Sequence, residues 1–356
     1  MAIICKDQVE TPVLAIDLDA LEYNIKVVAD FLSDKTAKLR PHFKTHKSPM
    51  IAHMQIDAGA KGITCAKLGE AEVLATAGIK DILIANQVVE ASKIDRLASL
   101  AKISKITVCV DNPLNIIDLS KAATAHDSTI YVYIEIDVGM GRCGVNTKEE
   151  VLSLAKLISE SEGLVFEGFQ AYAGQLSHNP SKEDREQGVK EAVAKVTECK
   201  AYLEENGIAV KEISGAGTGT YNITGNNTIY TELQAGSYVF MDNDYNRLGL
   251  DFKQALTVLT TIISKREGVA VSDAGQKACC QATGAPDIMG YANLSVKLSE
   301  EHGTISDSED ELCYLGKIEY IPSHCCTTVN LHDSYYCFRG DVLEGIWPIS
   351  GRGKVK

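Results

Sequence analysis

The sequence predicts an α/β protein: a parallel (β/α)8 barrel of the TIM type followed by a second, smaller C-terminal β-rich domain. Three observations carry the prediction. Eight short apolar runs alternate with longer helix-patterned stretches through residues 12–247, as a closed barrel of ~250 residues requires. Beyond Leu248 helical periodicity fades and strand-like runs meet turn-rich joints, which marks a β domain over residues 248–356, with residues 1–11 a candidate addition to it. The 356 residues, 45% hydrophobic and 23% charged, suit one large globular unit and one small one. An open doubly wound sheet shows the same alternation, and periodicity alone leaves both open.

The elements follow in order. Asp17–Asp34 opens with a helix, its apolar Leu18, Leu21, Ile25, Val28 and Leu32 recurring on one face. The expected strands are Lys38–Lys44, Gly62–Ala66, Ile82–Asn86, Ile106–Val110, Tyr131–Asp137, Phe166–Tyr172, Glu212–Gly217 and Glu232–Val239. Helical patterning fills Leu68–Ala77, Ala91–Lys102, Lys148–Ser159 and Lys182–Glu205 between them. Ala255–Ile263 and Tyr314–Tyr320 read as strands of the second domain.

Charge narrows the function. Lys and Arg total 35 against 48 Asp and Glu, a net charge of −13, which speaks against nucleic acid or an anionic membrane as the main partner. No apolar run approaches the ~20 residues of a membrane span. The opening MAIICKDQVETP lacks the apolar core of a signal peptide, so a cytoplasmic location is the default expectation. Eleven cysteines, an odd count in a long chain, read as reduced thiols or metal ligands rather than a disulfide framework.

Three segments carry candidate chemistry. In Arg40-Pro41-His42-Phe43-Lys44-Thr45-His46, strand alternation would place Arg40, His42, Lys44 and His46 on one side. Cations crowded inside a barrel are costly unless they serve an anion or cofactor, and a lysine among them loses basicity and becomes a Schiff-base nucleophile. The plain alternative is a solvated basic loop. Ser214-Gly215-Ala216-Gly217-Thr218-Gly219-Thr220 follows the seventh strand, where barrels hold phosphate, and its glycines let backbone N–H groups approach an anion. Gly236-Ser237-Tyr238 at the eighth strand could complete the cup. Finally, in Ser323-His324-Cys325-Cys326-Thr327 a strand would direct His324 and Cys326 to one side and Cys325 to the other. An imidazole and a thiolate suit Zn²⁺, and two ligands leave positions for water and substrate. A buried histidine beside buried thiols is the plain alternative there.

Together these stretches, with DVGMGRCGV (Asp137–Val145), FQAYAGQLSH (Phe169–His178), ELQAGSYVFMD (Glu232–Asp242), SEEHG (Ser299–Gly303) and PSHCCTTVN (Pro322–Asn330), resemble a known family in their order. The chain is similar to the fold-type III pyridoxal-phosphate enzymes of the D-threonine aldolase and D-serine dehydratase group, from about Pro12 onward. The resemblance implies an alanine racemase-like barrel with a C-terminal β domain, in a homodimer. It implies Lys44 as the Schiff-base lysine, Arg142 facing the pyridine nitrogen and Tyr172 beside the cofactor. It further implies that Gly217, Thr218, Gly219, Thr220 and Tyr238 hold the phosphate. His324 and Cys326 would bind a divalent metal, Zn²⁺ or Mn²⁺, near the β-hydroxyl of a D-3-hydroxy amino acid.

The reaction divides two ways. Retro-aldol cleavage gives glycine and an aldehyde. Dehydration gives an α-keto acid and ammonia. His178 lies where D-threonine aldolases carry the histidine proposed to deprotonate the β-hydroxyl. Cys326 leans the other way, since those aldolases usually show Asp there and D-serine dehydratases Cys. Ala173 also departs from the aldolase pattern. The aldolase is preferred because a base is a chemical requirement, whereas Asp and Cys both hold a metal. An amino-acid racemase, which needs a second base and no metal, and a non-catalytic pyridoxal-phosphate carrier are the readings from other classes. The ~110 residues after Leu248 speak against the carrier, because such carriers typically lack a second domain.

Overall fold

The structure, a computed structural model, describes residues 3–356. Its contacts divide the chain into two compact units. One holds the residues up to Val27, Thr45–Met50 and Ser237–Gly353, and the other Val28–Lys44, Ile51–Gly236 and Lys354–Lys356.

The second of these is a (β/α)8 barrel. Its strands are β1 (Lys38–Leu39), β2 (Ile63–Cys65), β3 (Asp81–Gln87), β4 (Lys105–Val110), β5 (Ile130–Glu135), β6 (Leu164–Ala171), β7 (Glu212–Gly215) and β8 (Glu232–Leu233). Each pairs in parallel with its successor from β2 to β8, and β8 pairs with β1. The ring closes just beyond β1, where His42 bridges Thr64 in parallel and Phe43 N donates to Thr64 O at 2.7 Å. Closure, which periodicity left open, settles the barrel against an open sheet.

The expected helices are present as Leu68–Thr76, Ala91–Leu100, Lys148–Glu160 and Lys182–Glu205. Pro113–His126 joins them. Asn112 caps that helix by accepting from Leu114 N at 2.9 Å, and Pro113 stands in the first turn, where a missing N–H costs nothing.

Inside the barrel, Leu83, Cys109 and Tyr133 pack together. A charged cluster is buried with them. Arg40, 1% exposed, pairs with Asp81 at 2.8 Å and with the fully buried Glu232 at 2.8 Å, and Lys61 reaches Glu232 at 3.0 Å. Arg40 and Lys61 outweigh the burial that would raise the Glu232 carboxyl, and hold it down at about 2. The expected basic face of the first strand is therefore corrected. Regular strand ends at Leu39, residues 43–46 form a turn and Lys47 has φ 51°, so period-two alternation does not continue to His46. Arg40 serves the ion cluster instead of a ligand.

The other unit is built on a nine-stranded sheet. Val13–Asp17 runs antiparallel to Leu256–Leu259 and parallel to Tyr335–Phe338. The stretches expected as strands appear as Leu256–Arg266 and Lys317–Ile321. Thr45–Met50 is tied into this unit: the Tyr335 hydroxyl donates to His46 O at 2.5 Å, and Gly351 N donates to Lys47 O at 2.8 Å. Among the described residues no disulfide links any of the eleven cysteines. Among the described residues no helix is long and apolar enough to cross a membrane.

Candidate active site

In the barrel unit the loops after β5, β6 and β7 bring together residues distant in sequence. After β5 the chain passes through Gly139, Gly141 and Gly144, all at positive φ, which side chains rarely adopt. Asp137 Oδ1 organises this loop by accepting the amides of Gly139, Met140 and Gly141 at 2.9–3.0 Å. The loop delivers Arg142, whose Nη2 lies 3.6 Å from Glu135 Oε1. Burial pushes the Glu135 carboxyl above its ordinary range, although Gln87, which donates to it at 2.5 Å, and Arg142 favour the charged form.

Tyr172 follows β6 directly. Lys44 Nζ stands 5.9 Å from the centroid of its ring, and Arg142 Cζ also stands 5.9 Å from it. The Tyr172 hydroxyl lies 3.0 Å from Ser177 Oγ. After β7, Ala216 turns the chain at φ 62° into Gly217. A Cβ on Gly217 would come within 2.8 Å of Ser177 Oγ and 3.4 Å of the Tyr172 ring. The turn is closed by Gly217 N donating to Thr220 Oγ1 at 3.2 Å, and Thr218, Gly219 and Thr220 are buried. Thus Lys44, Arg142, Tyr172 and the Gly217 turn come together. The chain offers a lysine amine, a guanidinium, an aromatic ring and a cradle only glycine leaves open. These residues fit a flat aromatic cofactor with a phosphate tail.

His178 lies exposed on the turn after the short helical segment Gly174–Leu176. Gly236 closes the barrel unit's main run. The strand expected through Val239 ends at Leu233, and Ser237–Val239 forms a 3-10 turn with Tyr238 buried.

Within the β unit, Pro322–Asn330 departs from expectation. Cys325–Val329 is a short helix with His324 at its N-cap, so the alternation that separated Cys325 from its neighbours does not apply. Asp242, His324 and Cys325 offer ligand atoms all within 4.8 Å of one another. The Cys326 thiol donates to Thr45 Oγ1 at 3.3 Å and lies 3.8 Å from Ser237 Oγ. Burial disfavours a charged His324 ring, but Asp242 and Cys326 outweigh it and raise the imidazole to about 11. Burial also pushes the Cys325 thiol well up. An imidazole and thiols, with a buried carboxylate set against the imidazole, fit a divalent metal of the zinc type.

Sequence reading singled out none of Asp242, Glu135, Ser177 and Thr45. Asp242, Ser177 and Thr45 lie inside motifs named above, and the acid closing ELQAGSYVFMD is the one available signal for Asp242.

Comparison with known proteins places the chain. The model of the alanine racemase N-terminal domain matches residues 16–244, and that of the serine dehydratase domain matches residues 255–338. The 3-hydroxy-D-aspartate aldolase of Paracoccus denitrificans is 42% identical, over 98% of this chain and 94% of the relative. The crystal structure of D-threonine aldolase from Filomicrobium marinum is 37% identical, with a TM-score of 0.96 over 100% of this chain and 99% of that one. The D-threo-3-hydroxyaspartate dehydratase of Delftia is 26% identical, over 95% of this chain and 96% of the relative. The chain belongs to the alanine racemase N-terminal domain family, and, with a serine dehydratase domain following the barrel, it is a lyase of that family.

Proposed function

We propose that the protein is a pyridoxal-phosphate- and divalent-metal-dependent lyase that cleaves D-3-hydroxy amino acids by retro-aldol reaction. The observation that carries this reading is the convergence of Lys44 and Arg142 on the Tyr172 ring beside the Gly217 turn. The aldolases among the relatives, at 42% and 37% identity, support the retro-aldol direction.

Pyridoxal phosphate held here would supply the electron sink for the bond broken at Cα, and a divalent metal would polarise the β-oxygen. Lys44 holds the cofactor through its amine. Arg142 would stand toward the cofactor's ring nitrogen and disfavour its protonation. Tyr172 packs beside the ring. The Gly217–Thr220 turn, Gly236, Ser237 and Tyr238 receive the phosphate. His178 accepts the β-hydroxyl proton as the Cα–Cβ bond breaks and the aldehyde leaves, and Cα takes up one proton in exchange to give glycine. His324 and Cys326 hold Zn²⁺ or Mn²⁺. The working form is a homodimer in the cytoplasm.

Dehydration is the second reading, favoured by the thiol at Cys326 and by the Delftia dehydratase. One experiment separates them. Purified protein is incubated with pyridoxal phosphate and Zn²⁺ or Mn²⁺, with D-threonine, D-serine and D-3-hydroxyaspartate offered separately. Glycine plus aldehyde identifies the aldolase. Keto acid plus ammonia identifies the dehydratase. His178→Ala should abolish the first activity far more than the second, and equal losses would sink His178 as the base.

A further inference from the structure

We propose that Arg185 is the positioning residue of the turn that carries His178. Arg185 sits near the start of the helix Lys182–Glu205 and is only 4% exposed. Its Nη1 donates to the carbonyls of Asn179 at 2.6 Å and Pro180 at 3.3 Å, the two residues directly after His178. Among the described residues it has no carboxylate partner, and its Nε has no hydrogen-bond partner. A buried guanidinium ordinarily stands against acids, as Arg40 does against Asp81 and Glu232. Arg185 bears the cost of desolvation for two backbone carbonyls, so its placement serves the turn they belong to.

The turn is held from its other end as well. Ser177 Oγ lies 3.0 Å from the Tyr172 hydroxyl. Leu176 packs so closely on the helix that a Cβ at Gly188 would come within 2.5 Å of it. Asn179 N donates to Leu176 O at 3.2 Å, and Ser181 N to Asn179 Oδ1 at 2.9 Å. His178 therefore lies between one anchor on Tyr172 and one on Arg185. Its side chain is exposed, and the position of the turn's backbone sets where the imidazole starts from. The role rests on the retro-aldol reading of His178, and a loosely held base loses rate steeply with misplacement.

The test compares Arg185→Met, Arg185→Lys, His178→Ala and the double variant His178→Ala/Arg185→Met as holoenzymes. Retro-aldol kcat and KM on D-threonine are measured beside cofactor absorbance and exchange of the Cα hydrogen of D-alanine in deuterated water, a step that does not use the β-hydroxyl base. Arg185→Met should lower kcat about tenfold to a hundredfold, leave KM within about twofold, and leave cofactor uptake and Cα exchange at the parent level. Arg185→Lys, which keeps one donor, should lose less. On the His178→Ala background the second change should cost nothing more, because a residue acting through another is not additive with it. A kcat within about twofold of the parent in Arg185→Met would overturn the proposal. So would parallel loss of Cα exchange, or a further loss in the double variant. If Arg185→Met fails to fold, Arg185→Lys decides: unchanged kcat in a protein with parent Tm overturns the role. Parent activity in His178→Ala would instead refute the base assignment itself, an outcome none of the Arg185 variants produces.

Discussion

Asp242 Oδ2 lies 3.0 Å from Nδ1 of His324 and accepts the amide of Cys325 at 2.8 Å, while Oδ1 accepts Tyr245 N at 3.0 Å. One buried carboxylate thus orients the imidazole and anchors the backbone of the neighbouring thiol. A carboxylate behind a metal-binding histidine fixes which ring nitrogen faces the ion. Asp242→Ala should weaken Zn²⁺ or Mn²⁺ binding about tenfold to a hundredfold, read by chelator competition, while cofactor absorbance persists. Unchanged metal affinity would remove Asp242 from this role.

Lys44→Ala tests the cofactor attachment. The protein should lose the absorbance of lysine-bound pyridoxal phosphate and lose activity by at least about a hundredfold. Metal affinity should stay at the parent level. Retained absorbance would mean another lysine holds the cofactor.

Gly217→Ala tests the cradle. The added Cβ meets Ser177 Oγ at 2.8 Å, so that hydroxyl must shift, while the Tyr172 ring at 3.4 Å stays in ordinary contact. Pyridoxal phosphate should bind about tenfold more weakly, a loss of about 1.4 kcal/mol, in a fluorescence titration. Parent affinity in this variant would show that the turn does not contact the cofactor.

Glu232 sets an acid limit on stability. Its carboxyl is held at about 2 against an ordinary 4.5. A depressed carboxylate contributes stability that is complete above its unfolded value and is lost as pH falls from about 4.5 through about 2. The contribution is roughly 3 kcal/mol. Glu232→Gln, which leaves Arg40 and Lys61 short of a partner, should be destabilised near neutral pH by about 3–5 kcal/mol in urea denaturation. The gap to the parent should close toward pH 2. A constant gap across that window would contradict the assignment.

Much of the barrel was legible because strand and helix periods are local properties. Each expected strand has a counterpart, from Ile82–Asn86 within β3 to Glu212–Gly217, which stops at Gly215 because Ala216 adopts positive φ. Lys182–Glu205 matched to the residue, since its polar face and Ser181 cap mark both the start and the run. Misreadings fell where local pattern is ambiguous. Lys38–Lys44 alternates like a strand yet turns at residue 43. Ser323–Thr327 is too short to show a period, so its helix could not be told from a strand.

The sequence by itself determined the order of elements and the resemblance that singled out Lys44, Arg142, Tyr172, His178, His324 and Cys326. Each rests on spacing along the chain or on motif order. Only the tertiary structure decided which side chains meet. Arg40 neutralises Glu232 across 192 residues, and Cys326 meets Thr45 across 281. Asp242 reaches the Cys325 backbone across 83. Contacts of that range depend on barrel closure and sheet registry, which are properties of the folded chain and leave no periodic trace in its letters.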